Sequence, residues 1–214
     1  MTGCLKSRSD ILFTSRIDVD NYLRISELNE LGVLRRKILT TKTYTRAFFV
    51  HRGKIEVCPG HLSDQVQFGC KDDIYTYWEG EYLREEDFYS RIDRRKTFTP
   101  EQALFFRFLR KYNYDYCEID PYYEISGDNF STLTDVLNLI SKYFLVQEEC
   151  HLGVALPQRM KPNWYKRNLL LTADDIDAII ANGRPRWYSW VHLLAMGHLI
   201  RTFLQKLQGH VSNY

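Results

Sequence analysis

The spacing of apolar residues changes along the chain, and this change most limits the folds that the sequence can adopt. Between about residues 43 and 83, β-branched and aromatic residues cluster and alternate in the way typical of strands. From Thr99 onward, apolar residues recur at helical spacing behind helix-start residues. The sequence therefore predicts an α+β fold. A small antiparallel sheet in the N-terminal part, about 43–83, is expected to pack with a mainly helical C-terminal part.

The strand-rich part is expected to form two hairpins and one short strand. The predicted strands cover residues 43–50, 55–57, 66–68, 74–78 and 81–83. Gly53 lies in the turn of the first hairpin and Gly80 in that of the second, where glycine tolerates the backbone angles of tight turns. A further short strand is predicted at 154–156, in the helical part.

Helix-start residues define the helical segments. The predicted helices cover residues 18–31, a segment beginning at Thr99, 131–144, a short segment beginning at Thr172, and 187–207. Thr99 and Gln102 form a capping-box pattern with Pro100 at the first helical position. Thr172 and Asp175 have the same spacing. The last helix is apolar on most sides, which predicts burial or a homo-oligomer contact.

No Pro-, Gly- or Ser-rich linker and no internal repeat divides the 214 residues. A chain of this length can bury one sizeable core. We therefore expect a single globular domain over 1–214. A subdivision into a β-rich part, 1–95, and a helical part, 96–214, stays open.

Composition and charge narrow the class of protein. Hydrophobic residues make up 44% and charged residues 26% of the chain, which is typical of a folded globular protein and not of a disordered one. The formal net charge is only +2, whereas dedicated nucleic-acid binders carry a larger basic excess. Any nucleic-acid contact would therefore depend on a local basic patch.

The sequence predicts a soluble protein of the cytoplasm. Its five cysteines are odd in number and lack the spacing of a disulfide framework. No apolar run has the length of a signal peptide or of a membrane span. Delivery into a host cell without a cleaved signal peptide is the alternative that fits the same pattern.

Two segments interleave cations with aromatic rings and give the predicted binding surface. Its residues are Trp164, Tyr165, Lys166, Arg167, Arg184, Arg186, Trp187 and Tyr188. Cations can neutralise phosphates while rings stack on bases or pack against a protein partner. The alternative is that both tryptophans lie in the core while the cations remain in water. The first hypothesis predicts an intracellular binding or regulatory protein that engages a protein or nucleic-acid partner.

We expect no cofactor from the sequence, and zinc is the one alternative. Cys58 and His61 are separated by two residues, the spacing at which a tight turn can aim sulfur and imidazole at one Zn²⁺, and Cys70 is a third candidate ligand. The alternative is that both cysteines are buried apolar residues and His61 is a turn residue.

An enzyme, a transferase or a hydrolase, is the alternative function. It would use a cysteine–histidine pair or paired carboxylates such as Glu79 and Glu81. Asp174, Asp175 and Asp177 are better explained by the preference for acidic residues at a helix start. The phosphate-binding motifs G-x-G-x-x-G and G-x-x-x-x-G-K-[ST] are absent, which argues against a Rossmann or P-loop nucleotide enzyme.

Overall fold

The structure is a computed structural model. It describes residues 2–7, 9, 11–26, 34–42, 45–51, 54–78, 88, 97–110, 123–124, 130–155, 172–182 and 200. Its strands are β1 (Gly3–Ser7), β2 (Leu12–Phe13), β3 (Ile38–Thr41), β4 (Arg46–His51), β5 (Lys54–His61), β6 (Val66–Cys70), β7 (Tyr123–Glu124), β8 (Phe144–Gln147) and β9 (Val154–Ala155). Its helices are α1 (Val19–Ile25), α2 (Lys71–Trp78), α3 (Pro100–Arg110), α4 (Phe130–Tyr143) and α5 (Ala173–Asn182), with a 3₁₀ turn at Glu149–Leu152. These elements confirm the predicted α+β class.

The main sheet has the strand order β1-β6-β3-β8. Strand β6 runs antiparallel to both β1 and β3, while β8 runs parallel to β3. Strands β1, β3 and β8 therefore point in the same direction, and β6 points the opposite way. The sheet is therefore mixed. Parallel strands need a long connection, and the segment between β3 and β8 provides one that contains α4.

Each face of the main sheet is covered by its own core. Ile38, Phe144 and Val146 pack with buried residues of α2, α3, α4 and α5 on one face. Leu39 and Phe68 lie in a second cluster with Tyr22 of α1 on the other face. Because side chains alternate along a strand, neighbouring residues of β3 enter different cores.

A second sheet, with the order β4-β5-β7, contains the predicted hairpin of β4 and β5. His51 pairs with Lys54, as the predicted hairpin requires. Strand β5 then passes close to α3 at Gly60, whose φ is +71°. A Cβ at this position would lie 2.7 Å from Phe105 Cδ1, so only glycine fits here without a shift.

Reciprocal capping boxes begin two helices, as predicted. The backbone N–H of Thr99 donates to Gln102 Oε1 at 3.0 Å, and that of Gln102 donates to Thr99 Oγ1 at 3.2 Å. Thr172 and Asp175 form the same pair at the start of α5, where the N–H of Thr172 donates to Asp175 Oδ2 at 3.0 Å. Asp175 therefore acts as a helix cap, in line with the helix-start explanation of the acidic residues.

The prediction of a strand at 74–78 is wrong, because these residues belong to α2. Ile74 and Tyr77, one helical turn apart, are both buried in the core on the sheet. Asp73 anchors the helix by accepting the backbone N–H groups of Arg35 and Arg36 at 2.8 and 2.9 Å. These tertiary contacts override the strand propensity of the aromatic and β-branched residues.

Smaller differences concern element ends and the extent of the sheet. Helix α1, capped by Asp18 as predicted, ends at Ile25. Helix α4 begins one residue before the predicted cap Ser131, and Phe144, predicted as its last residue, begins β8. The sheet extends beyond the predicted 43–83 region, because β1, β3 and β8 all lie outside it.

Two further expectations lie outside the described residues: the strand at 81–83 and, apart from residue 200, the helix at 187–207 with its oligomer contact. In the part of the chain that the structure describes, no helix is both long enough and apolar enough to cross a membrane. A single domain over 1–214 stays a prediction.

Candidate functional site

Strand direction places charged residues along one edge of the main sheet. Lys6 lies near the end of β1, Lys42 directly follows β3, and Glu148 directly follows β8. Asp64 lies just before β6, which runs the opposite way. We call Lys6, Lys42, Asp64 and Glu148 the strand-end site. This end of the sheet is the candidate functional region, because it brings charged side chains of distant segments together in two ion pairs.

Lys42 and Glu148 form the first ion pair of the site. The Lys42 Nζ lies 2.7 Å from Glu148 Oε1, and the two side chains are 23% and 42% exposed. The backbone N–H of Lys42 also donates to the carbonyl of Gln147 at 2.7 Å. The pair is therefore held by the ends of two adjacent parallel strands, and both charges remain within reach of solvent.

Lys6 and Asp64 form the second pair. The Lys6 Nζ lies 3.5 Å from Asp64 Oδ2, and it donates a hydrogen bond to the carbonyl of Asp64. The same ammonium lies 4.3 Å from the ring centroid of Trp78, within the range of a cation–π contact. This second pair thus has an aromatic wall supplied by the end of α2.

A buried polar network centred on Ser63 lies beneath these charges. Thr40 Oγ1 donates to the Ser63 carbonyl at 2.9 Å, and Gln67 Nε2 donates to the same carbonyl at 3.1 Å. The hydroxyls of Ser63 and Thr41 share a hydrogen bond at 2.8 Å. Thr45 completes the network by accepting the Ser63 N–H at 3.0 Å. Satisfied buried networks are rigid, so this one fixes the loop before β6 against the end of β3.

His61, at the end of β5, lies next to the first turn of α3. Its Nε2 lies 3.8 Å from Glu101 Oε2, and the imidazole is 8% exposed. The neighbouring Gln102 donates its Nε2 to the carbonyl of Pro59 at 2.8 Å, which holds the helix start against the strand. His61 is therefore a buried residue of the β5–α3 contact, and not the surface turn residue of the alternative interpretation.

The structure does not bring Cys58, His61 and Cys70 together as zinc ligands. Among the described residues, no group of three or more His, Cys, Asp and Glu is placed to hold a metal ion. Cys58 and Cys70 are both buried, which matches the alternative of cysteines used as small apolar residues.

Cys70 is also a poor candidate for nucleophilic catalysis. Burial, together with the nearby Asp73 carboxylate, raises the pKa of the Cys70 thiol above its usual value. The thiolate is the nucleophile, so a raised pKa lowers the reactive fraction near neutral pH.

The predicted basic-aromatic surface lies outside the described residues, as do Glu79 and Glu81 of the paired-carboxylate alternative. Its residues are Trp164, Tyr165, Lys166, Arg167, Arg184, Arg186, Trp187 and Tyr188.

Comparison with known proteins identifies the family. A family model described as "WavE lipopolysaccharide synthesis" matches residues 4–206. The chain belongs to the WavE lipopolysaccharide synthesis family. No curated protein and no solved structure matches it in the corresponding searches. The WavE match covers the main sheet except Gly3, and it includes every residue of the strand-end site.

Membership of the WavE family corrects the functional prediction. The prediction of a binding or regulatory protein that engages a protein or nucleic-acid partner is wrong, because the family is one of lipopolysaccharide synthesis. That prediction depended on cations next to aromatic rings, a pattern that amphipathic surface residues also produce.

No local motif of the sequence indicates the strand-end site. Lys42 and Glu148 are 106 residues apart, and Lys6 and Asp64 are 58 residues apart, so no local motif joins either pair. Each of Lys42 and Glu148 directly follows a short strand. A correct prediction of β3 and β8 as parallel neighbours would have placed both charges at one edge.

Proposed function

We propose that this protein is a glycosyltransferase of lipopolysaccharide synthesis, which transfers a sugar from a phosphate-activated donor to a hydroxyl of a growing saccharide. The observation that carries the proposal is the WavE family match over residues 4–206. The strand-end site, which places two partly exposed ion pairs at one end of the main sheet, supports it.

The two charges of the Lys42–Glu148 pair suit the two charge changes of glycosyl transfer. The acceptor oxygen forms a bond to the anomeric carbon and gives its proton to the Glu148 carboxylate. The bond from that carbon to the phosphate oxygen breaks, and its electron pair leaves with the phosphate. The Lys42 ammonium stabilises the negative charge that develops on the leaving group.

A cytoplasmic location is part of the proposal. Cys4 and Cys150 are free thiols, which suits a reducing compartment. Fractionation of the host cell with an antibody to the protein tests this point. Recovery from the periplasm or outside the cell would contradict it.

Deletion of the gene in its host tests the function. We expect lipopolysaccharide of lower mass, lacking a sugar, by gel and mass spectrometry, and restoration by the wild-type gene. Lys42→Ala and Glu148→Gln should fail to restore it, since loss of a transition-state contact of this kind costs on the order of 100-fold in rate or more. Lys71→Ala, which removes an exposed lysine of α2, is the matched control and should restore it.

Two outcomes would contradict different parts of the proposal. Unchanged lipopolysaccharide in the deletion strain would refute a role in its synthesis. Full restoration by Lys42→Ala and Glu148→Gln, at equal protein level by immunoblot, would refute the assignment of the strand-end site while leaving the biosynthetic role standing.

A further inference from the structure

Thr45 holds the main chain of Lys42. The backbone N–H of Thr45 donates to the carbonyl of Lys42, the residue directly after β3, at 3.0 Å. At the other side of Lys42, its own N–H is bound to Gln147 of β8. The main chain of Lys42 is therefore fixed through both of its polar groups.

The Thr45 hydroxyl also binds the end of β3 and the loop before β6. It donates to the carbonyl of Thr41, the last residue of β3, at 2.9 Å, and accepts the N–H of Ser63 at 3.0 Å. All three residues are buried, with exposures of 1% or less. Loss of the hydroxyl would leave the buried N–H of Ser63 without its acceptor, a state that folded proteins avoid by moving the backbone.

We propose that Thr45 is a positioning residue, whose hydroxyl, bound to Thr41 and Ser63, fixes the main chain of Lys42 so that the Lys42 ammonium lies against Glu148. The position of Lys42 can be tested without any reaction, and the effect of Thr45 on catalysis rests on the proposed glycosyl transfer. Thr45 acts on Lys42 through the hydrogen bond from its own N–H to the Lys42 carbonyl.

Three variants separate an effect on the position of Lys42 from a general loss of protein stability. Thr45→Val removes the hydroxyl at nearly constant volume, and Thr45→Ser keeps the hydroxyl. Ile74→Val is the control for a general loss of stability, because Ile74 lies in the core and packs near Gly69, at the opposite end of β6.

The first measurement does not depend on activity. The native protein is reductively methylated, and mass spectrometry follows the rate of methylation at Lys42. This rate is divided by the rate at Lys71, an exposed lysine in the same sample. We expect Thr45→Val to raise the relative rate for Lys42 severalfold, while Thr45→Ser and Ile74→Val keep the wild-type rate. An unchanged rate in Thr45→Val, or an equal rise in Ile74→Val, would overturn the inference.

The second measurement is the steady-state kinetics of sugar transfer. Thr45→Val is expected to lower kcat by about 10- to 100-fold with a smaller change in KM, since a small displacement of a group that acts on the transition state has this effect. Thr45→Ser should restore kcat. Wild-type kinetics in Thr45→Val would refute the catalytic consequence.

The two proposals fail in distinguishable ways. A wild-type protein that transfers no sugar and whose deletion leaves lipopolysaccharide unchanged refutes the function, while the labelling rates still decide the role of Thr45. An inactive Lys42→Ala beside a Thr45→Val with wild-type labelling and kinetics refutes the positioning role alone.

Discussion

Trp78 Nε1 donates a hydrogen bond to Gln67 Oε1 at 2.6 Å and so joins the end of α2 to the main sheet. Gln67 is buried, and its Nε2 donates a hydrogen bond to the Ser63 carbonyl. The amide therefore connects the aromatic wall of the Lys6–Asp64 pair to the network that holds the loop before β6.

Trp78→Phe is expected to lower the free energy of unfolding by about 1–3 kcal/mol, because it leaves the buried Gln67 Oε1 without its donor. Urea titration of both proteins gives the difference. The single variant Gln67→Leu and the double variant with both changes are the controls. The double variant should lose less free energy of unfolding than the sum of the two single losses. Strictly additive losses would contradict the coupling.

Asp73 and Asp72 are adjacent and should differ strongly on substitution. Asp73 is buried and accepts the N–H groups of Arg35 and Arg36, so Asp73→Ala should lower the free energy of unfolding by about 2–4 kcal/mol. Asp72 pairs with Arg35 at 3.2 Å between largely exposed side chains, so Asp72→Ala should cost less than about 1 kcal/mol. Similar losses in urea titrations of the two variants would be the opposite result.

Local features of the sequence gave correct predictions where the interaction itself is local. Thr99 bonds to Gln102 and Thr172 bonds to Asp175, three residues away in each case, so the capping boxes are visible in a short window. The β4–β5 hairpin could be predicted for the same reason, because its two strands are neighbours in the sequence.

Long-range contacts explain what the sequence left undetermined. The segment Ile74–Trp78 has the aromatic and β-branched residues of a strand, but the Asp73 contacts to Arg35 and Arg36 and the burial of Ile74 and Tyr77 make it helical. The site could not be predicted because Lys42 meets Glu148 only through the parallel pairing of β3 and β8. Parallel pairings join distant segments and leave no short motif.

The raised pKa of Tyr22 predicts a loss of stability at alkaline pH. Burial, with a smaller contribution from Cys70, raises the pKa of Tyr22 from 10.0 to about 12. The unfolded chain then loses the phenol proton at lower pH than the folded protein does. The stabilising contribution is full below about pH 10 and is lost as the pH rises through about 12.

Melting temperatures from about pH 8 to about pH 12 test this linkage. Tyr22→Phe should lose less stability over this range than the wild type, although it is less stable at pH 8 because the Tyr22 hydroxyl donates to the Lys37 carbonyl. Tyr75→Phe, at an exposed tyrosine, is the control and should follow the wild-type curve. An identical alkaline loss in Tyr22→Phe would show that other groups, such as the buried Tyr77, account for it.

Gly60 lies in β5 and Gly69 in β6. Alanine substitutions at the two positions form a matched pair that tests how closely β5 packs against α3. Gly60→Ala should lower the free energy of unfolding by about 1–3 kcal/mol, because φ is +71° and the new Cβ would lie 2.7 Å from Phe105 Cδ1. At Gly69 the nearest atom, in Ile74, is 3.4 Å from the Cβ position, so Gly69→Ala should be tolerated. Urea titration compares the two variants. A Gly60→Ala protein as stable as the Gly69→Ala protein would mean that β5 does not approach Phe105 this closely.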